Sequence, residues 1–338
     1  MAHIAHKLRE QIGKVVRIDE TKLADGSTCL PKTAHVFEKE SVFALMAALG
    51  SGRPLLVRGV PGTGKSQLAR AAAHVLGWEF VAKVVDAHTE VADLFYSFDA
   101  VERLAHAQVI GALAKAHELT AEQVREGLQV MGFVRPGPLW WAFNPEKATV
   151  QENTHRQRGV ADGSPRPPPI VAPKSGGYVV LIDEIDKADP SVPNGLLEAL
   201  GQGTFGVLGR EMISLHTGDS PSLIIITTNE ERELPSAFVR RCVVLELRLP
   251  RSDDKLKPWL RERGEAHFPG ALPEFLEEAA SELLKDRSRA RERRQPLPGL
   301  AEYIDLLRAV RTLEGVATLK ELKKYVFEKH LADDDEIA

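Results

Sequence analysis

The residues with the clearest chemistry are the eight at positions 59–66, which read Gly-Val-Pro-Gly-Thr-Gly-Lys-Ser. An apolar run over 54–58 precedes them and a helix-forming run over 67–73 follows, so the pattern predicts a strand, a glycine-rich turn and a helix. Such glycines let consecutive backbone N–H groups curve around a phosphate, and the helix N-terminus adds a partial positive charge. We therefore predict a phosphate-binding loop rather than a chance glycine turn beside a surface lysine.

The members of this loop have different expected tasks. Lys65 is expected to reach the β- and γ-phosphates of a nucleotide, and the Ser66 hydroxyl to bind Mg²⁺. The residues expected to contact the nucleotide are Gly59, Pro61, Gly62, Thr63, Gly64, Lys65, Ser66 and Gln67. Because no residue pattern reads the base, ATP and GTP both stay open.

Two other predicted strands end in polar side chains. The apolar run over 178–182 is followed by Asp183 and Glu184, and the run over 223–227 is followed closely by Asn229. In open α/β sheets, ligands bind beyond the carboxyl ends of the strands. Asp183 is thus expected to hold Mg²⁺, and Glu184 to deprotonate a water that faces the γ-phosphate. Asn229 is expected to position that water, with a turn asparagine that caps a helix as the alternative.

The order of apolar runs indicates the fold class. Strand-like runs occur at 54–58, 80–85, 178–182, 223–227 and 243–247, with helical patterns between them. The third and fourth runs are continuously apolar, as in strands covered on both faces of a parallel sheet. The simplest architecture is a five-stranded parallel αβα sandwich of the P-loop type.

Composition sets mild bounds on the function. The chain has 338 residues, 43% hydrophobic and 27% charged, with a formal net charge of −4, so we expect two domains and no global attraction for nucleic acid. Cys29 and Cys242 lack metal-ligand spacing, which suits a reducing cytosol. No signal-peptide pattern or membrane-spanning run is visible, so a cytoplasmic protein without membrane insertion is expected.

Four segments taken in order resemble the AAA+ ATPases, and within them the MoxR-like branch. The resemblance covers about residues 35–250, and the segments that carry it are 59–66, 181–188, 225–229 and 234–242. It implies that Asp183 and Glu184 form Walker B, that Asn229 is sensor 1, and that Arg241 is an arginine finger for a neighbouring subunit. Arg240 is the competing finger, and a solvated helix end is the alternative reading of this pair.

Two insertions fit the same branch. Helical patterns over 101–131 and the aromatic segment 137–143 resemble its helix-2 insert. Core packing is the favoured role of Trp140, Trp141 and Phe143, and a grip on a substrate is the alternative. The proline-rich stretch 144–176 is expected to be a mobile loop. Alternating runs over 204–216 predict a β-hairpin, which the resemblance places as the pre-sensor-1 hairpin and which is otherwise structural.

The last quarter of the chain changes character. Charged amphipathic stripes after position 250 predict a small α-helical lid. In the family a sensor 2 arginine opens a lid helix, but none stands at 298–302 here, and Arg294 and Arg308 are the candidates to replace it. The expected domains are an extension over 1–35, a nucleotide-binding domain over 36–250 with its insert at about 87–176, and a lid over 251–338.

The expected function follows from these parts. The resemblance implies an ATPase that uses ATP and Mg²⁺, assembles as a hexameric ring and remodels a protein partner, with von Willebrand factor A domain proteins as partners of the family. A nucleotide-dependent binding switch with slow turnover is the alternative. A DNA-acting motor ranks last, because the predicted hairpin carries little basic charge beyond Arg210.

Overall fold

The structure is a computed structural model, which describes residues 2–22, 29–115, 119–157, 176–215, 221–313 and 316–327. The strands within them are β1 (Val15–Ile18), β2 (Thr21–Lys22), β3 (Cys29–Leu30), β4 (Thr33–Val36), β5 (Leu55–Arg58), β6 (Glu79–Val84), β7 (Tyr96–Phe98), β8 (Val134–Pro136), β9 (Tyr178–Asp183), β10 (Thr204–Val207), β11 (Glu211–Ser214), β12 (Ser222–Thr228) and β13 (Val243–Glu246).

The helices alternate with these strands and then dominate the C-terminal part. They are α1 (Ala2–Arg9), α2 (Lys39–Ser51), α3 (Lys65–Leu76), α4 (Val91–Phe95), α5 (Ala100–Lys115), α6 (Ala121–Gly127), α7 (Pro138–Phe143), α8 (Pro145–Gln157), α9 (Ser191–Gln202), α10 (Ser236–Val239), α11 (Asp253–His267), α12 (Pro273–Glu292), α13 (Leu300–Leu313) and α14 (Val316–Val326). Among the described helices, none combines the length and the apolar character needed to cross a bilayer.

A five-stranded parallel sheet in the order β13-β5-β12-β9-β6 forms the centre of the fold. Its strands are covered on both faces, because alternate residues of β9 enter two separate cores. Val179 and Leu181 pack with α2 and α3, whereas Val180 and Ile182 pack with α7 and α9. The αβα sandwich predicted from the apolar runs is confirmed.

The insert and the hairpin join the sandwich through an aromatic cluster. Trp140, Trp141 and Phe143 of α7 are 1–3% exposed. Trp140 and Phe143 contact Phe205 of the β10–β11 hairpin edge to face, and Trp141 lies against Tyr178 of β9. These aromatic residues are therefore core residues rather than a surface for gripping a substrate.

The prediction of a loop over 144–176 is wrong for its first part, because residues 145–157 form α8. Pro145 occupies the first turn, where no backbone N–H donor is needed, and the side chain of Asn144 accepts the N–H of Lys147 at 3.0 Å. Gly163, Pro165 and the prolines at 167–169, which suggested a loop, lie within residues 158–175, outside the described ranges, and Gly176 follows them directly.

The N-terminal ribbon and the lid both pack near the phosphate-binding loop. β1 pairs antiparallel with β4, and this ribbon contacts both α3 and α11. The lid helices α11, α12, α13 and α14 share one apolar core, with Tyr303 and Leu306 fully buried in it. A helical lid after the α/β part is thus confirmed, and the ribbon connects it to α3.

Truncation of a core aromatic should test this packing. Trp140→Ala is expected to lower the free energy of unfolding by about 3–5 kcal/mol, because it leaves a cavity in a close-packed core. Chemical denaturation measures this, and Val101→Ala serves as the control, since Val101 is 80% exposed. A loss below about 0.5 kcal/mol for Trp140→Ala, as at an ordinary surface site, would contradict the core assignment.

Candidate active site

The phosphate-binding loop connects the end of β5 to the start of α3, and three of its glycines have positive φ. Gly59 has φ 149°, and a Cβ there would lie 2.4 Å from the backbone oxygen of Leu247. Gly62 has φ 78°, and its Cβ would lie 2.7 Å from the Cβ of Ala301 on α13. Glycine is required at both positions by backbone conformation and by close approach, so the loop keeps the N–H-lined curve that holds a phosphate.

Lys65 is 6% exposed, and its Nζ donates to the backbone oxygens of Gly59 at 2.7 Å and Val60 at 3.0 Å. Burial lowers the pKa of the Lys65 ammonium, while nearby carboxylates, first of all Asp183, oppose that shift. This side chain therefore lies along the inside of the loop as its main positive charge.

The predicted metal ligands are already adjacent. The Ser66 hydroxyl donates to the Asp183 carboxylate, with Oγ 2.9 Å and 2.8 Å from its two oxygens. These hard oxygen donors suit Mg²⁺, which needs only one or two protein ligands when phosphates and waters supply the rest. No cluster of three or more His, Cys, Asp or Glu that could hold a metal occurs in the described part of the chain.

Glu184 has a defined and unusual backbone. Its φ is 62°, a left-handed conformation that is uncommon outside glycine. Its carboxylate accepts from Asn229 Nδ2 at 3.2 Å through Oε1 and from Lys187 Nζ at 2.7 Å through Oε2. That pairing raises the pKa of the Lys187 ammonium. Glu184 and Asn229, the two residues predicted to manage the water, are thus in direct contact.

One cavity of about 320 Å³ unites these groups. The predicted residues that line it are Pro61, Gly62, Gly64, Lys65, Ser66, Gln67, Asp183, Glu184 and Asn229. The lid contributes His267 and Arg308, and Arg308 pairs with Asp305 at 2.9 Å. Arg294, the other candidate for sensor 2, is exposed after α12 and lies outside this lining.

Thr63 lies on a smaller neighbouring cavity of about 40 Å³, between the N-terminal ribbon and α11. Glu38 connects the two sides of that cavity, because its carboxylate accepts from Trp259 Nε1 at 3.0 Å and pairs with Arg263. The ring of His35 lines the same space, and its buried Nε2 has no hydrogen-bond partner among the described residues.

The two finger candidates lie outside the nucleotide cavity. Arg240 and Arg241 follow α10 and are both exposed. Arg241 donates to the carbonyl of Ala237 at 3.3 Å, whereas Arg240 lines a separate cavity of about 550 Å³ with Arg58. Within one chain, neither Arg240 nor Arg241 lines the cavity that holds Lys65, Asp183 and Glu184.

Sequence reasoning missed some members of the site. Lys187 could have been predicted, because it stands three residues after Glu184, and a 3-10 turn at this spacing brings the two side chains together. Arg308 is a sequence candidate for sensor 2, but only the packing of the lid shows that it lines the cavity. Thr227 and Asp186 also belong to the site. Thr227 donates to Asp183 and Asp186 accepts the backbone N–H of Asn229, through hydrogen bonds that span more than 40 residues of sequence.

A parallel five-stranded sheet, a glycine loop before α3, acids at the end of the third strand and a helical lid together define a P-loop ATPase domain of the AAA+ class. The chain belongs to the family described as AAA domain (dynein-related subfamily), which matches residues 54–263. A comparison with curated protein sequences gave no match.

Solved structures of similar fold include two kinds of protein. A mutant of RuvB from Thermotoga maritima is 17% identical, with 88% of this chain and 72% of that chain covered and a TM-score of 0.45. A candidate ATPase from Cytophaga hutchinsonii is 14% identical, with 96% and 85% covered and a TM-score of 0.40. At such identities and TM-scores the likeness carries no information about substrate or partner.

The two half-buried histidines near the site, His35 and His267, are expected to make stability depend on pH. Burial, followed by the charge of Arg263, lowers the pKa of His35 to about 3, and burial, followed by the charge of Arg308, lowers the pKa of His267 to about 4. Below an unfolded pKa of about 6.5 the unfolded chain gains these protons and the folded chain does not, so folding loses free energy as pH falls. Between pH 7.5 and 5.5 the loss should be about 1.4 kcal/mol for each histidine.

Urea unfolding of the native chain, His35→Gln and His74→Gln at both pH values checks this. His35→Gln should remove its share of the pH dependence, whereas His74→Gln, a change at an exposed histidine of α3, should leave it unaltered. An unchanged slope for His35→Gln would show that His35 titrates normally in the folded state.

Proposed function

We propose that this chain is a Mg²⁺-dependent ATPase that hydrolyses ATP between the subunits of a ring, most simply a hexamer, and thereby remodels a protein partner. One observation carries the proposal. The cavity collects Lys65, Ser66, Asp183, Glu184 and Asn229, but the two arginines that follow α10 lie outside it in the same chain. A second copy of the chain would complete the charge that phosphoryl transfer needs.

The roles of the residues follow from this arrangement. Ser66 and Asp183 would hold Mg²⁺, which neutralises phosphate charge when it is bound. Lys65 places its ammonium beside the β- and γ-phosphates, and the loop N–H groups bind the phosphate oxygens. Glu184 accepts a proton from the attacking water, and Asn229, which contacts the same carboxylate at 3.2 Å, orients that water.

Arg241 is the better finger of the two. Its guanidinium is exposed and donates to a carbonyl of its own helix, so it can turn toward a neighbour at little cost. Arg240 instead lines a cavity with two further arginines, Arg58 and Arg232, and with Glu230 and Glu233. An arginine supplied in trans also explains why an isolated subunit should be a poor ATPase.

The base is proposed to be adenine, held near the ribbon and lid cavity that adjoins the phosphate site. His35 there is neutral at pH 7 because burial lowers its pKa, and its free Nε2 offers a single neutral polar contact. The charged side chains that line this cavity are Glu38, Arg248 and Arg263. GTP is the alternative outcome of a binding assay.

Partner remodelling is proposed through the insert and the hairpin. Trp140 and Phe205 make them one aromatic unit, and Trp141 seats this unit on Tyr178 at the start of the Walker B strand. The hairpin exposes Met212, which is 60% exposed, as a surface for a protein segment. A partner with a von Willebrand factor A domain is an expectation from the MoxR-like resemblance, and a cytoplasmic location is an expectation from the cysteines and the sequence pattern.

The lid bears on the choice between a motor and a switch. The absence of an arginine at 298–302 favours a switch that binds nucleotide and turns over slowly. Arg308, however, lines the nucleotide cavity from α13, which favours active turnover. The hairpin gives little support to a DNA motor, because Arg210 is the one basic residue within the described positions 204–215. The nearby Lys147 already pairs with Glu211 at 2.9 Å.

Turnover in mixed rings tests the shared site. Glu184→Gln and Arg241→Ala should each lower turnover, the second by up to about 10³-fold because the transition state loses a positive charge. Mixing the two variants should restore part of the activity, since some interfaces then combine an intact Glu184 with an intact Arg241. Arg240→Ala is the matched control and should keep most activity.

Steady-state turnover at increasing protein concentration supplies the check. Specific activity of the native chain should rise with concentration as rings form. Concentration-independent turnover together with a harmless Arg241→Ala change would contradict a site shared between subunits and favour the switch.

Arg308 gives a separate prediction about the lid. Arg308→Ala should weaken ATP binding more than ADP binding, by about 1–2 kcal/mol, because a charge-assisted contact to the γ-phosphate is lost. Arg311→Ala is the control, since Arg311 lies on the same helix but outside the cavity lining. Titration with fluorescent ATP and ADP measures both, and an equal loss for the two nucleotides would place Arg308 away from the γ-phosphate.

A further inference from the structure

Two sets of hydrogen bonds cross between the ends of β9 and β12, and they run in opposite directions. From β12, the Thr227 hydroxyl donates to Asp183 Oδ1 and accepts the N–H of Glu184 at 2.9 Å. From the turn after β9, the Asp186 carboxylate accepts the N–H of Asn229, at 3.2 Å to its nearer oxygen. Each strand therefore holds the catalytic residues of the other.

Both holding side chains are buried. Thr227 is 0% exposed and Asp186 is 3% exposed, and Asp186 also accepts the N–H of Glu231 at 3.0 Å. A buried carboxylate is costly unless donors satisfy it. Here the donors are backbone groups of the turn that carries Asn229, so the burial of Asp186 fixes that turn.

The Thr227 contact is compatible with metal binding by Asp183. A carboxylate offers about four lone-pair sites, and the Ser66 hydroxyl also lies within hydrogen-bond distance of both Asp183 oxygens. The Thr227 hydroxyl can keep one site from the sensor strand while the remaining sites face the phosphate loop. It also fixes the backbone of Glu184, whose φ of 62° needs support.

We propose that Thr227 and Asp186 are reciprocal positioning residues, in which Thr227 presents Asp183 to Mg²⁺ and Asp186 holds Asn229 against Glu184. The inference rests on the proposed ATPase function and adds two residues to it. Because the two contacts act on different catalytic groups, their loss has different signatures. Loss of the first changes Mg²⁺ dependence, and loss of the second changes turnover at saturating Mg²⁺.

The test for Thr227 compares a change that removes the hydroxyl with one that keeps it. In Thr227→Val the Mg²⁺ concentration for half-maximal binding of fluorescent ATP should rise about 10–100-fold, as for other residues that orient a metal ligand. Thr227→Ser, which keeps the hydroxyl, should stay within about threefold of the native value. Nucleotide affinity in EDTA should be the same in all three proteins.

The test for Asp186 uses Asp186→Asn, which keeps an acceptor oxygen and the shape but loses the charge. We expect the turnover number to fall about 10–100-fold through misplacement of Asn229, with the Mg²⁺ dependence and the Michaelis constant for ATP near native. This split between turnover and binding separates a positioning role from a general loss of structure.

Several outcomes would overturn the inference. They are a native Mg²⁺ dependence in Thr227→Val, an equal loss of affinity in EDTA, and a failure of Thr227→Ser to retain Mg²⁺ binding. If Thr227→Val does not fold, Thr227→Ala repeats the measurement with a smaller side chain. Nucleotide binding by the native chain is measured first, and its absence would instead refute the proposed function.

Discussion

The pairing of β12 with β5 on one side and β9 on the other is the constraint on which the site depends. In this register Thr228 is opposite Arg58 and Ile226 is opposite Ile182. A slip of one residue would move the buried side chains of β12 to the other face and turn Thr227 away from Asp183. Because alternate residues of β12 enter the two cores, the packing that builds those cores also sets the distances between the candidate catalytic groups.

Charge is divided unevenly over this arrangement. Asp183, Glu184 and Asp186 cluster at the strand ends, with Lys65 and Lys187 as their nearest balancing cations. The arginines proposed to act on the phosphates lie on other elements: Arg308 on the lid, and Arg240 and Arg241 after α10. In the proposed ring, catalysis would begin only when these separate carriers of positive charge meet at one phosphate.

Much of the fold and the core of the site could be predicted, because their signals are local. The glycine loop with Lys65, and the apolar strand that ends in Asp183, are each written in fewer than a dozen residues. Thr227 and Asp186 could not be found in this way, since their partners are more than 40 residues away. The helix over 145–157 is not evident from the sequence, because the prolines that follow it at 165–169 indicate a loop. A proline in the first turn, such as Pro145, nevertheless favours a helix.

The contact between Gly62 and Ala301 has a mechanical consequence. A methyl group on Gly62 would overlap Ala301, so the phosphate loop and the first turn of α13 already touch with no space between them. Any outward movement of the loop must then push the start of a 14-residue helix in the lid. The lid can thus respond to the shape of the loop through steric exclusion alone, even without an arginine at the start of α13.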